Sequence, residues 1–133
     1  MISSWLSERL VAASPDGVWF ASQGADEAIE EVRRKGMSVV TLPLAGVEDD
    51  PGLFAALAAA LRFPEYFGEN WDAVDDSLQD LDWLPREGLV VVVAHSMAAW
   101  QSAPETMGKL VSAWLVASAR WCSAQRPFHL VFT

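Results

Sequence analysis

Leu53, Phe54, Leu57 and Leu61 recur at three- and four-residue steps, so the helix that carries them is expected to bury one face. Asp50 is the expected cap, with Pro51 in the first turn, and Pro64 limits how far the helix runs. A second helical stretch starts at Pro104, where Met107, Leu110, Val111, Trp114, Ala117, Ser118 and Trp121 trace one side. A third spans "GADEAIEEVRRKG" at 24–36. Its acids lead, Arg33, Arg34 and Lys35 close it, and Gly36 is a suitable stop. Residues 1–14 read as a short helix or ordered tail, followed by a turn at "SPDG".

The other apolar runs have strand character. "VWFAS" at 18–22 and "MSVVTLPL" at 37–44 are short, and "LVVVVA" at 89–94 is apolar without interruption. That last pattern is expected of a strand buried on both faces of a parallel sheet. "AHSMAAWQSA" reads as a connection, and "FHLVFT" closes the chain as a strand. Strands alternating with helices predict an α/β layer fold with a mainly parallel sheet. The segments 37–44, 89–94 and 128–132 are expected to be parallel neighbours with helices on both faces.

At 133 residues the chain is expected to be a single domain, 1–133, with enough length for a core that needs neither disulfides nor metals. The lone Cys122 and two histidines make no disulfide and no recognisable zinc set. No cofactor is expected. His95 reads as a polar loop residue, His129 as pointing to one sheet face, and Cys122 as a buried small hydrophobe on the last helix. No signal peptide or membrane span is read, and the expected location is the cytoplasm.

Charge changes the picture. The net charge is −9, which argues against nucleic acid as a direct ligand, because phosphate contacts need Lys and Arg. Seven of the eighteen acids fall in "FPEYFGENWDAVDDSLQDLDWL" at 63–84, which contains no basic residue. Residues 70–81 are expected to be helical. On a helical wheel Trp71, Val74, Leu78 and Leu81 fall within roughly 80°, and Asp72, Asp75, Asp76 and Asp80 within roughly 140° opposite. The apolar arc faces a core. The acidic arc opposes helix formation, since Asp72–Asp76 and Asp76–Asp80 are like-charge pairs costing about 0.2–0.5 kcal/mol each.

Charge alone leaves three readings open. The arc is a solvated face, a cluster of metal-binding or catalytic carboxylates at Asp72, Asp75 and Asp76, or an interface for a cationic site. The carboxylate reading has a loose parallel in the aspartate-rich motif of isoprenoid synthases, read in reverse. The second acidic helix and the phosphate-holding cations of that motif are missing.

The full stretch "FPEYFGENWDAVDDSL" at 63–78 is more specific. It closely resembles the signature of the barstar family, intracellular inhibitors of barnase-type ribonucleases. A looser likeness runs from Ser38 to the C-terminal strand, with 1–36 as an N-terminal extension to the 37–133 core. The resemblance implies a barstar-like fold with a small parallel sheet, no catalysis, and a basic ribonuclease as partner. It also implies partner contacts by Tyr66, Phe67, Gly68, Asn70, Trp71, Asp72, Asp75, Asp76, Asp80 and Trp83. Asp72 and Asp76 are the implied central carboxylates, standing where RNA phosphates bind. Gly68 is expected to allow a close backbone approach or a sharp turn.

Two positions depart from the family archetype. Asp75 stands where the archetype has Trp, and Arg120 stands at the equivalent of an acid on its last helix. Both put barnase itself in question as the target. The alternatives are a divergent family member with a non-ribonuclease partner, or a metal-dependent enzyme using Asp72, Asp75 and Asp76.

Overall fold

The apolar periodicities become two helical layers on one sheet. The structure, a computed structural model, describes residues 2–64, 68–80 and 85–133. The strands are β1 (Val18–Phe20), β2 (Ser38–Thr41), β3 (Leu89–Val93) and β4 (Phe128–Phe132). They form one sheet in the order β1-β4-β3-β2, and every pairing is parallel. The three expected neighbours are therefore parallel as read, and the N-terminal region adds a fourth strand beside β4. The helices among the described residues are α1 (Ile2–Leu10), α2 (Ala25–Arg34), α3 (Asp50–Leu61), α4 (Trp71–Gln79), α5 (Met97–Ser102) and α6 (Pro104–Ser123).

Strand alternation sends side chains to opposite faces, and both faces of β3 and β4 are covered. Leu89, Val91, Val93, Phe128, Leu130 and Phe132 pack with buried residues of α3, α4 and α6. Val90, Val92 and Val131 pack against Leu6 and Leu10 of α1 and Ala28, Ile29 and Val32 of α2. All ten residues of β3 and β4 are buried, which explains their unbroken apolar pattern.

Several boundaries differ from the sequence reading. Asp49, not Asp50, caps α3: its extended backbone lets Oδ1 accept from the Gly52 N–H at 2.9 Å. β2 ends at Thr41 rather than 44, after which Pro43 has no N–H to donate. The connection after β3 contains the six-residue helix α5, too short to show a repeating apolar face.

The N-terminal region is joined to the core by a polar seam. His129 of β4 is fully buried on the face covered by α1 and α2. The Trp19 indole N–H donates to His129 Nδ1 at 3.0 Å. An indole can only donate, so Nδ1 is unprotonated, and Nε2–H donates to the Ala12 carbonyl at 2.8 Å. The ring is thereby held neutral. Its pKa lies below the ordinary 6.5, chiefly because burial disfavours the cation, partly offset by the bond to Ala12. The neutral ring is favoured by the fold, so its contribution is full above pH 6.5 and declines as pH falls through the lowered folded value. His129→Gln is expected to flatten the fall in thermal stability below pH 6.5, measured as a melting-temperature series against the parent. Equal slopes in the two proteins would remove His129 as the cause.

Gly17 fixes the start of β1. Its carbonyl accepts from the Leu130 N–H at 2.7 Å, and an added Cβ would lie 2.2 Å from the Phe128 carbonyl oxygen. Only glycine allows the two backbones to approach this closely.

Candidate functional site

The acidic helix is anchored before its acids do anything. Asn70 is its N-cap: its side-chain oxygen accepts from the Ala73 N–H at 2.8 Å. The other end of the Asn70 amide donates to the Gly68 carbonyl at 3.0 Å. Val74 and Leu78 are buried in the core. At the far end, the Trp121 indole N–H donates to the Leu78 carbonyl at 2.8 Å. Arg120 Nε donates to the Gln79 carbonyl at 3.2 Å. Two carbonyls of the last turn, which a helix leaves without internal partners, thus receive donors from α6.

Asp50, freed from the cap role, joins three helices. Thr106 Oγ1 donates to its Oδ1 at 2.6 Å. The Trp71 indole N–H donates to Oδ2 at 2.9 Å, and Lys109 Nζ bonds the same oxygen at 3.1 Å. The bonds from Thr106, Trp71 and Lys109, in that order, outweigh desolvation and lower the Asp50 pKa from 3.8 to about 2. This stabilisation is present above pH 3.8 and is lost as pH falls towards 2. Asp50→Ala leaves the Thr106 hydroxyl and the Trp71 N–H without their acceptor, at an expected cost of about 1–3 kcal/mol. Urea denaturation checks this; a change below about 0.5 kcal/mol, the range of ordinary surface substitutions, would mean the three-helix junction is not held by Asp50.

On the outer side of α4, Asp72 and Asp76 are exposed one turn apart, and Asp75 is half-buried between them. Among the described residues no cation lies within ion-pair distance of any of the three. The carboxyl of Asp75 is pushed up from its ordinary value, first by desolvation and then by the charges of Asp72 and Asp76. A groove of about 560 Å³ beside it is lined by Trp71, Asp75, Glu105, Lys109 and Val116, among others. Among the described residues, no group of three or more His, Cys, Asp or Glu is placed to hold a metal ion. Asp72, Asp75 and Asp76 therefore do not form the cluster that the enzyme alternative needs.

The structure also places the other residues singled out in the sequence, some of them differently from expectation. Trp71 turns inward: it is half-buried, and its ring meets Phe54 edge-on with centroids 5.1 Å apart. Asp80 is not within the helix but is its half-buried C-cap. Glu69 in the preceding loop is left-handed, at φ 47°, and a Cβ added at Gly68 would lie 3.1 Å from Asn70 Nδ2. Tyr66, Phe67 and Trp83 lie outside the described residues, as does Leu81. His95 is exposed, and Cys122 is half-buried. Arg120, read from sequence as standing at the equivalent of an acid, closes the C-terminal end of α4, where positive charge complements the helix dipole. The role of Asp50 was missed, because its partners lie 21, 56 and 59 residues away.

The family model described as Barstar (barnase inhibitor) matches residues 37–133. The chain belongs to the barstar family. That is a family of inhibitors, and the match covers β2 through β4 with the whole acidic helix. Residues 1–36, which supply α1, β1 and α2, lie outside it. No curated protein sequence matches the barstar-family chain. Among solved structures it is similar to the Aeropyrum pernix ORC2 protein, described as ADPNP-ADP complexes, with a TM-score of 0.66 and 11% identity. That similarity covers 98% of this chain but only 39% of ORC2. At such identity the likeness is one of fold alone, and the nucleotides in that description stay with ORC2. Among the described residues no helix is long and apolar enough to cross a membrane.

Proposed function

We propose that this barstar-family protein inhibits a basic ribonuclease in the cytoplasm by plugging its active site with α4 and the loop before it. The observation that carries the reading is the outward edge of α4. Asp72 and Asp76 are exposed and matched by no cation of the described chain, on a helix capped at both ends. A ribonuclease concentrates positive charge for its phosphate substrate, and a rigid pair of carboxylates one turn apart copies that substrate's charge. Because the helix is already ordered, little conformational entropy is lost on docking.

In this reading Asp72 and Asp76 are the central contacts and Asp75 extends them. Tyr66, Phe67, Gly68, Asn70, Trp71, Asp80 and Trp83 complete the footprint. Asn70 and Trp71 also act by positioning, through the cap and the Asp50 bond. The whole chain works as one barstar-like domain, with 1–36 as an extension of the core. Asp75 favours a target other than barnase itself: it sets a carboxylate in a half-buried position where the family archetype sets an apolar ring.

The test is inhibition of RNA cleavage. The purified protein is titrated against barnase and against a panel of other basic ribonucleases and ribonuclease-type toxins. Stoichiometric inhibition of at least one member supports the reading. Absence of inhibition across the panel, with a folded protein, favours the alternative of a non-ribonuclease partner.

A further inference from the structure

The helices α4 and α6 are joined twice. Asp50 links Trp71 of α4 to Thr106 and Lys109 of α6, and the Trp121 indole N–H reaches the Leu78 carbonyl towards the other end. Between the two joints runs the groove of about 560 Å³. It passes along α6 from Glu105 by Gly108 and Ser112 to Val116, with Trp71 and Asp75 on the α4 side. The helical rise from Glu105 to Val116 makes it roughly 16 Å long. Its walls are largely apolar, with Trp71 half-buried and Val116 exposed.

The charge of the groove is one-sided. Lys109 lines it, but its Nζ is held by Asp50 at 3.1 Å. Asp75 and Glu105, the other charged lining residues, have no cation within ion-pair distance among the described residues. Asp72 and Asp76 add to the negative field from the same helix, which carries no base. Gly108 is a separate observation. It lies inside the 20-residue helix α6, where glycine is less favourable than alanine. Nothing in the fold asks for it: its φ is not positive, and an added Cβ would meet no atom within 4 Å. A residue that weakens the free protein without an evident structural gain points to function. What Gly108 provides is open space against the backbone of α6.

We propose that this groove receives an arginine side chain of a basic partner protein, with the partner's backbone passing over Gly108, the aliphatic stem along Trp71 and the guanidinium paired to Asp75. Glu105 strengthens the pull on the cation from the other end. A guanidinium suits these walls better than an ammonium, because it is more weakly hydrated and packs on aromatic rings. The net charge of −9 sets two copies of the chain against each other and favours a basic occupant. Assigning the arginine to a ribonuclease rests on the function proposed above. The groove then adds the first half of α6 to the footprint of α4, and Asp75 and Gly108 become determinants of which ribonuclease fits.

The probe is the tripeptide acetyl-Gly-Arg-Gly-amide, with citrulline in place of arginine as its neutral counterpart of the same shape. Titration into the full chain is followed by the Gly108 amide and Trp71 indole resonances. The expected result is saturable shifts with the arginine peptide and weaker binding of the citrulline peptide. Asp75→Asn is expected to weaken the arginine peptide about tenfold, the scale of one hydrogen bond to a charged group, and Asp76→Asn much less. Gly108→Gln is expected to remove binding while raising the melting temperature, since glutamine is the better helix former. Against any ribonuclease that the parent inhibits, Gly108→Gln should raise the inhibition constant about tenfold or more. Shifts that fail to saturate, or equal affinity for the two peptides, overturn the proposal. So does self-association in sedimentation that Gly108→Gln abolishes. Unchanged inhibition by Gly108→Gln also overturns it, and leaves the ribonuclease reading intact. Saturable arginine binding with no ribonuclease inhibited removes that reading instead and keeps the groove as a site for another basic protein.

Discussion

Trp114→Ala is expected to destabilise the protein by about 3–5 kcal/mol, the range for removing a fully buried tryptophan. Phe128 of β4 is held between two indoles of α6. Trp114 lies 4.2 Å from it with planes 1° apart, and Trp121 lies 4.2 Å away on a 16° tilt. All three are buried completely. Truncation of Trp114 opens a cavity between α6 and β4, and the helix cannot close it. Trp121 is fixed by its bond to the Leu78 carbonyl, so the loss also reaches the end of α4. Trp114→Phe separates the contributions. The Trp114 N–H is buried without an acceptor, and phenylalanine keeps the stack while removing that unpaired donor. Its expected cost is less than half that of alanine. Chemical denaturation of both variants decides the matter: an alanine variant within about 1 kcal/mol of the parent would mean that the indole stack is not a stability determinant.

The parts of this architecture legible in the sequence are those that repeat at short range. Leu53, Phe54, Leu57 and Leu61 advertise the buried face of α3, and all four are buried. "LVVVV" advertises a strand with two covered faces, and β3 is buried along its length. The order of alternating elements predicts parallel pairing, which joins all four strands. What was not legible depends on partners far along the chain. The seam of Trp19, His129 and Ala12 spans more than a hundred residues. Asp50 resembled a cap because Pro51 follows it, yet the adjacent Asp49 has the same chemistry and wins the position through its backbone geometry. Trp71 turns inward as its place on the apolar arc predicts, but its acceptor at Asp50 and its contact with the ring of Phe54 carry no local signal.

Asp76→Ala is expected to weaken inhibition of the target ribonuclease by about 2–5 kcal/mol or more, which is roughly thirty-fold to several thousand-fold in the inhibition constant. That range is the one known for truncating one partner of a buried charge pair, barnase–barstar pairs among them, and is not independent of this family. The reason for a large effect lies mostly on the enzyme's side. Docking strips water from the cations of the substrate cleft, and without Asp76 they stay buried and unpaired. The loss should appear as faster dissociation, whereas acids at the rim of the interface act on association and its salt dependence. Asp80 is the internal comparison, because it sits half-buried at the C-terminal end of α4 rather than on its exposed edge. The free protein should not notice the change in the same way. Asp76 is exposed with Asp72 one turn away, and Asp76→Asn relieves that repulsion, so its stability should stay within about 0.5 kcal/mol of the parent or rise. Asp75→Trp then identifies the target class. Restoring the ring should strengthen binding to a barnase-type enzyme if the ancestral pocket persists, and weaken binding to an enzyme that uses the added carboxylate. Stopped-flow association and dissociation rates at low and moderate salt separate these outcomes. Should Asp76→Ala inhibit as strongly as the parent, with both proteins equally folded, the acidic edge of α4 is a solvated face and not a copy of the RNA backbone.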